Sequence, residues 1–166
     1  AVYWNDQALD AAALEARIAA ARGASLAVVE GVTGALEHLR GKDCDGAMIL
    51  LDLEDQLPCQ EAPALAEAIA ALQPLPFPVV IVFACKEYEA WFLASIASLA
   101  AQSALFADGL TYPNDPEAKR GAKEWLDRHM PATVKYKEVL HQEQFTHLLD
   151  FEQARRAPSF CRLERA

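Results

Sequence analysis

Residues Asp45–Asp55 read DGAMILLDLED. A near-continuous apolar run, Ala47–Leu51, is bounded by the turn pair Asp45–Gly46 and by the acids Asp52, Glu54 and Asp55. A short apolar run between turn residues predicts a strand buried on both faces. Carboxylates this close together repel, and placing them beside an apolar strand costs solvation. The repulsion is tolerable if they point into water, and useful if they hold a divalent cation.

A second run of the same kind, VVIVFAC at Val79–Cys85, follows a helical stretch at Ala62–Leu72 and an extended linker marked by Pro74, Pro76 and Pro78. Ala1–Trp4 and Ser25–Glu30 are further predicted strands. Asp6–Arg22, closed by Gly23, and Thr33–Arg40 are predicted helices. Strands alternating with helices predict an α/β fold with a central, mostly parallel sheet. From Lys86 onward no strand pattern remains. Helices are expected at Lys86–Gln102, Pro116–Met130, Gln142–Leu149, Asp150–Arg156 and Ser159–Arg165. One domain over residues 1–166 is expected, with an α/β core at 1–85 and a mainly helical segment at 86–166.

In open α/β sheets, ligands sit outside the carboxyl ends of the strands. Asp52, Glu54 and Asp55 follow one predicted strand, and Lys86, Glu87 and Glu89 follow the next. If the strands are neighbours, these acids share one rim. An oxygen-rich rim suits Mg²⁺ or Mn²⁺, ions that polarise phosphodiesters and acidify bound water. The metal candidates are Asp52, Glu54, Asp55 and Glu87, with Glu87 also a candidate general base and Lys86 offsetting part of the repulsion. Solvated loop acids are the alternative. If Glu87 and Glu89 lie on a helix, their spacing of two puts them on different faces, so one would bind metal while the other pairs with Lys86 or Arg120.

The net charge of −9 argues against a free-standing nucleic-acid binder, because phosphate affinity comes from clustered Lys and Arg. It leaves room for a nuclease brought to its substrate by a basic partner. Lys119, Arg120 and Lys123 are the candidate backbone contacts, with ion pairing to Glu117, Glu124 and Asp127 as the alternative. Cys44, Cys59, Cys85 and Cys161 are scattered, which predicts reduced thiols rather than a zinc site. The four histidines form no metal motif; His141 is the one site candidate. Ser159 has no general base near it in sequence and is read as a helix cap. No phosphate-binding glycine motif occurs, so ATP chemistry would come from a partner. No apolar run reaches the roughly 18–20 residues that span a bilayer. The opening residues lack the regions of a signal peptide. A soluble cytoplasmic protein is expected.

KEYEAWFLAS (Lys86–Ser95) resembles a signature of the bacterial family called domain of unknown function 4276. GAMILLDLEDQLPC, NDPEAKRGAKEWLDRHM and the closing stretch from Tyr136 resemble the family's other segments in order, with Gln142, Phe145, Asp150, Ala154, Arg155, Ser159 and Phe160 in place. The resemblance implies a three-layer TOPRIM-like fold. It places Asp52 and Glu54 at the Asp-x-Asp metal positions, with Asp55 accessory. It also implies a nuclease-related activity in phage defence, with an ABC-like ATPase as partner. The family opens with a strand ending in Glu-Gly. Tyr3–Trp4–Asn5 stands there instead, and Glu30–Gly31 is the alternative source of that acid. With no such Glu, a non-catalytic interaction module of the same shape is the competing expectation.

Overall fold

The computed structural model describes residues 25–166 except Asp43, Gln56, Gln73 and Lys119, with side chains from residue 31 onward. The strand expected at Ala1–Trp4, the helix expected at Asp6–Arg22, and Lys119 lie outside the described residues. The described elements run α1 (Ser25–Arg40), β1 (Ala47–Asp52), α2 (Pro58–Ala71), β2 (Val79–Ala84), α3 (Ala90–Ala94), α4 (Ile96–Gln102), α5 (Ala122–His129), α6 (Glu138–His147), α7 (Phe151–Ala154) and α8 (Pro158–Leu163). The fold is therefore mixed helix and strand, and beyond β2 the regular elements among the described residues are all helices.

Both apolar runs form the strands they predict, and β1 and β2 pair as a two-stranded sheet. The pairing is parallel: the Ala47 N–H donates to the Pro78 carbonyl, and the Leu53 N–H donates to the Ala84 carbonyl. The residues fall into two compact units. Among the described residues, one holds those up to Leu51 together with 55–83; the other holds Asp52–Glu54 with 84–166.

In the first unit, Val32, Leu36 and Leu39 of α1 and Leu65 and Ile69 of α2 form a buried cluster with Ile49 and Phe77. The 3.6-residue period of these side chains makes both segments amphipathic. Ser25–Glu30 is helix, not the expected strand. Its β-branched residues are a weak local preference, overridden when the segment continues a helix anchored through Val32 and Leu36. Glu30 thus lies inside α1, not at the end of a strand. Helix α2 starts four residues earlier than expected, with Pro58 in its first turn, and tolerates Pro63 inside.

In the second unit, α3 is buried along its whole length, and Trp91, Phe92 and Leu93 are all core. Contiguous residues point in different directions, so this helix must be enclosed on every side. Phe92 meets Phe145 edge-on at 5.6 Å, and Trp91 meets Phe160 at 5.3 Å. Two expected helices are shorter than predicted. Lys86–Glu89 is a turn, and Ser95 separates α3 from α4, its Oγ accepting the Asp150 N–H at 2.8 Å. Pro116–Ala118, Arg120 and Gly121 are also non-helical, and α5 begins only after Gly121, whose φ is 109°. Arg120 and Lys123 consequently do not share one helix. Ser159 is not a cap either. Ala157 holds that position, and Ser159 is tied into the core by Trp91 Nε1 at 2.7 Å and by Glu117.

Glu54 and Lys86, which follow the two strands, both adopt left-handed backbone, with φ of 51° and 66°. The Glu54 N–H donates to the Lys86 carbonyl at 3.0 Å, so the two strained turns brace one another. A side chain in this region costs roughly 1–2 kcal/mol. Glu54→Gly and Lys86→Gly should each raise unfolding free energy by about 1 kcal/mol after the greater chain entropy of glycine is subtracted. Urea denaturation measures this; a loss of stability in both would show that the side chains contribute more than the backbone strain costs.

Candidate functional site

The turn after β2 places three acids in different surroundings. The chain at Asp52 is tied to this turn, because Asp52 Oδ1 accepts the Tyr88 N–H at 2.9 Å. The turn then sends Glu87 and Glu89 in separate directions, as their spacing of two requires of the two carboxylates. They do so from a turn rather than a helix.

Glu87 is buried and faces the start of α5. Its Oε1 accepts the Gly121 N–H at 3.1 Å, and its Oε2 accepts those of Ala122 at 2.9 Å and Lys123 at 3.2 Å. These N–H groups begin a helix and have no partner within it. The negative charge also suits the positive end of the helix dipole. Arg120 Nε lies 3.9 Å from Glu87, and Arg120 Nη2 lies 3.4 Å from the exposed carboxylate of Glu54. Glu87 is therefore a structural cap supplied from elsewhere in the chain. Glu117 acts in the same way on α8, its Oε1 accepting the Ser159 N–H at 3.0 Å.

Glu89 is fully buried. Its Oε1 accepts from Tyr136 Oη at 2.8 Å and Gln142 Nε2 at 2.9 Å. Its Oε2 has no hydrogen-bond partner among the described residues. Lys123 Nζ stands 3.8 Å from that oxygen and donates to Glu138 Oε1 at 2.5 Å. Burial pushes the Glu89 carboxyl above its ordinary range; Lys123 and the two hydrogen bonds oppose this, while Asp52 adds to it. Asp52 is also raised by the protein packed around it and by Glu138, against Lys123 and the Tyr88 N–H. Asp52 still presents surface to water, which damps the push. For Glu89 nothing does. Burial alone would pull Lys123 down, but Glu89, Glu138 and Asp52 together hold it above its ordinary value. Burial also pushes the Tyr88 hydroxyl up to about 12, and Tyr136 is raised as well, by burial and by Glu89.

The structure thus brings Asp52, Glu89, Gln142 and Lys123 into one polar cluster and adds Tyr136 and Glu138, which sequence reasoning missed. Their signal was present in YKEVLHQEQF, where Tyr136, Glu138 and Gln142 precede or share one helix. His141 is a buried residue of this helix, but its Nδ1 accepts the Lys137 N–H at 2.8 Å, closing the start of α6. Asp55 and Glu30 belong to the other compact unit. Among the described residues, no group of three or more His, Cys, Asp and Glu side chains is placed to hold a metal ion. Of the set expected from the motif, Glu87 is engaged by backbone N–H groups and Glu54 pairs with Arg120.

Two outcomes follow from these environments. Glu87→Ala leaves three helix N–H groups without their acceptor and should cost about 2–3 kcal/mol in chemical denaturation; a neutral result would mean that water replaces the carboxylate. Glu89 binds its proton more tightly folded than unfolded, so its contribution is fullest at low pH. That contribution is lost as pH rises from the ordinary value near 4.5 through the raised folded value. Glu89→Gln cannot ionise, so its melting temperature relative to wild type should climb as pH is raised towards neutrality. A flat difference would count against a buried, proton-retaining Glu89.

No helix among the described residues is long and apolar enough to cross a membrane. No curated protein and no solved structure matches the chain. The model of one protein family matches residues 8–166, nearly the whole chain and every residue of the cluster. The chain belongs to the family described as domain of unknown function DUF4276.

Proposed function

We propose that the chain is a TOPRIM-like, nuclease-related protein that handles phosphodiesters with Mg²⁺ or Mn²⁺, reaching nucleic acid through a partner such as an ABC-like ATPase in phage defence. The observation that supports it is the fully buried carboxylate of Glu89, on which the charge of Asp52 acts. Asp52 ends β1, Glu89 ends the turn after β2, and Glu89 keeps one buried oxygen without a hydrogen bond. A buried, unsatisfied carboxylate oxygen is costly and rare in folded proteins. It is understandable where the oxygen serves a ligand. Asp52 and Glu89 would hold the cation, which would polarise a phosphodiester and acidify a bound water. Tyr136 and Gln142 orient Glu89 by occupying its other oxygen, and Lys123 offsets the repulsion between the acids. Arg120, held by Glu54 and Glu87, and Lys123 are the nearby cations for a phosphate backbone.

A second reading is favoured by the engagement of Glu87 with α5 and by the net charge of −9: a non-catalytic module that docks on a protein partner. Thermal melting with Mn²⁺ separates the two. On the enzyme reading, millimolar Mn²⁺ raises the melting temperature of the wild type, and Asp52→Asn and Glu89→Gln abolish the rise. Single-stranded or plasmid DNA should then be cut by the wild type, alone or with the ATPase, and not by Asp52→Asn. Silence in both assays would leave the docking module as the function.

A further inference from the structure

A cleft of about 510 Å³ opens beside α5, with Tyr112, Asn114, Arg120, Glu124, Trp125 and Arg128 in its lining. Both of its walls are fixed. Arg156 Nη2 donates to the Tyr112 carbonyl at 2.6 Å and to the Asn114 carbonyl at 3.1 Å, and Glu87 holds the first turn of α5. The lining offers unused donors. Tyr112 is buried and edge-on to Trp125 at 5.2 Å, yet its hydroxyl and the Trp125 indole N–H have no hydrogen-bond partner among the described residues. Neither atom is sealed from solvent, because Glu89 Oε2 is the one sealed side-chain atom without a partner among those residues. Arg128 engages only its Nε, on the Glu124 carbonyl at 3.1 Å. Arg120 meets Glu54 at 3.4 Å in an exposed pair, which holds it weakly and lets it share its charge. Asp127 also lines the cleft, but Lys135 Nζ and the Tyr136 N–H engage its two oxygens, each at 2.9 Å. Glu124 is left as the acceptor of the lining.

We propose that this cleft binds a nucleotide unit, its phosphate on Arg120 and Arg128, a sugar hydroxyl or base amino group on Glu124, and Tyr112 Oη and Trp125 Nε1 donating to its oxygens. Two guanidinium groups suit a phosphate, whose oxygens accept charge-assisted hydrogen bonds. A bare anion would gain nothing from the aromatic wall and would be repelled by Glu124. A nucleotide uses all three features. The volume also lies within the roughly 300–1,000 Å³ of small-molecule sites, where an apolar wall is combined with a few placed polar groups. The same chemistry comes from a free nucleotide or from one nucleotide of a single strand. In the second case the cleft deepens the nuclease-related reading by naming where a strand is held. It uses no metal ion and neither Asp52 nor Glu89.

The test is calorimetry on the full chain in EDTA, with adenosine monophosphate, a short single-stranded DNA oligonucleotide and inorganic phosphate as probes. Wild type should bind the mononucleotide or the oligonucleotide, and inorganic phosphate at least about tenfold more weakly. Arg128→Gln should weaken nucleotide binding about tenfold, and Tyr112→Phe, which changes no charge, about fivefold. For the oligonucleotide, Arg128→Gln should also lower the slope of log affinity against log salt by about 0.7. Binding of the mononucleotide assigns the cleft to free nucleotides; binding of the oligonucleotide alone assigns it to a strand. No binding of either, inorganic phosphate binding as well as the nucleotide, or affinities that neither variant moves would overturn the proposal. If Tyr112→Phe does not fold, Arg128→Gln at its exposed position decides alone. Strand binding without Mn²⁺-dependent cleavage keeps the cleft and sinks the nuclease reading. Cleavage by a wild type that binds no nucleotide in EDTA sinks the cleft alone.

Discussion

The contact on which the second unit depends is a carboxylate at the head of a helix. Glu87 collects the N–H groups of Gly121, Ala122 and Lys123, about thirty-five residues away along the chain. Those groups would otherwise be unsatisfied in a buried place, which is costly. The interaction fixes where α5 begins and brings Lys123 within reach of Glu89. Glu117 does the same for α8 across forty-two residues, and a Trp91–Ser159 bond continues that tie into the aromatic core. Acids that are conspicuous in the sequence thus serve as covers for backbone ends.

The remaining acid, Glu89, is in the opposite condition. It is as deeply buried as the core phenylalanines, yet only one of its oxygens is satisfied. A buried charge without full pairing is disfavoured strongly. The chain keeps it by surrounding Oε1 with Tyr136 and Gln142 and by leaving Lys123 close to Oε2. Half-satisfied clusters of this sort are poor stabilisers, because the low dielectric that strengthens a complete network also raises the cost of an unpaired group. The left-handed turns at Glu54 and Lys86 belong to the same rim. Backbone strain retained beside such a cluster is common where geometry serves binding.

The sequence by itself determined the two strands, the amphipathic helices and the burial of Trp91 and Phe92, because each follows from short-range apolar spacing. The helix at Asp150 was legible for a similar reason: the Asp150 carboxylate accepts the Gln153 N–H three residues on, a local cap. The helical state of Ser25–Glu30 was not, because β-branched residues favour a strand until packing of the following turns decides otherwise. At the site, acids at the ends of both strands could be expected from their positions alone. Which acid did what was decided only by tertiary structure. Glu87 and Glu89 are two residues apart and chemically identical, and their spacing says only that they diverge. One meets the start of α5 and becomes a cap; the other meets Tyr136, Gln142 and Lys123 and becomes the candidate ligand. A carboxylate's role follows from the donors and charges around it, and here those come from segments some thirty to fifty residues away along the chain.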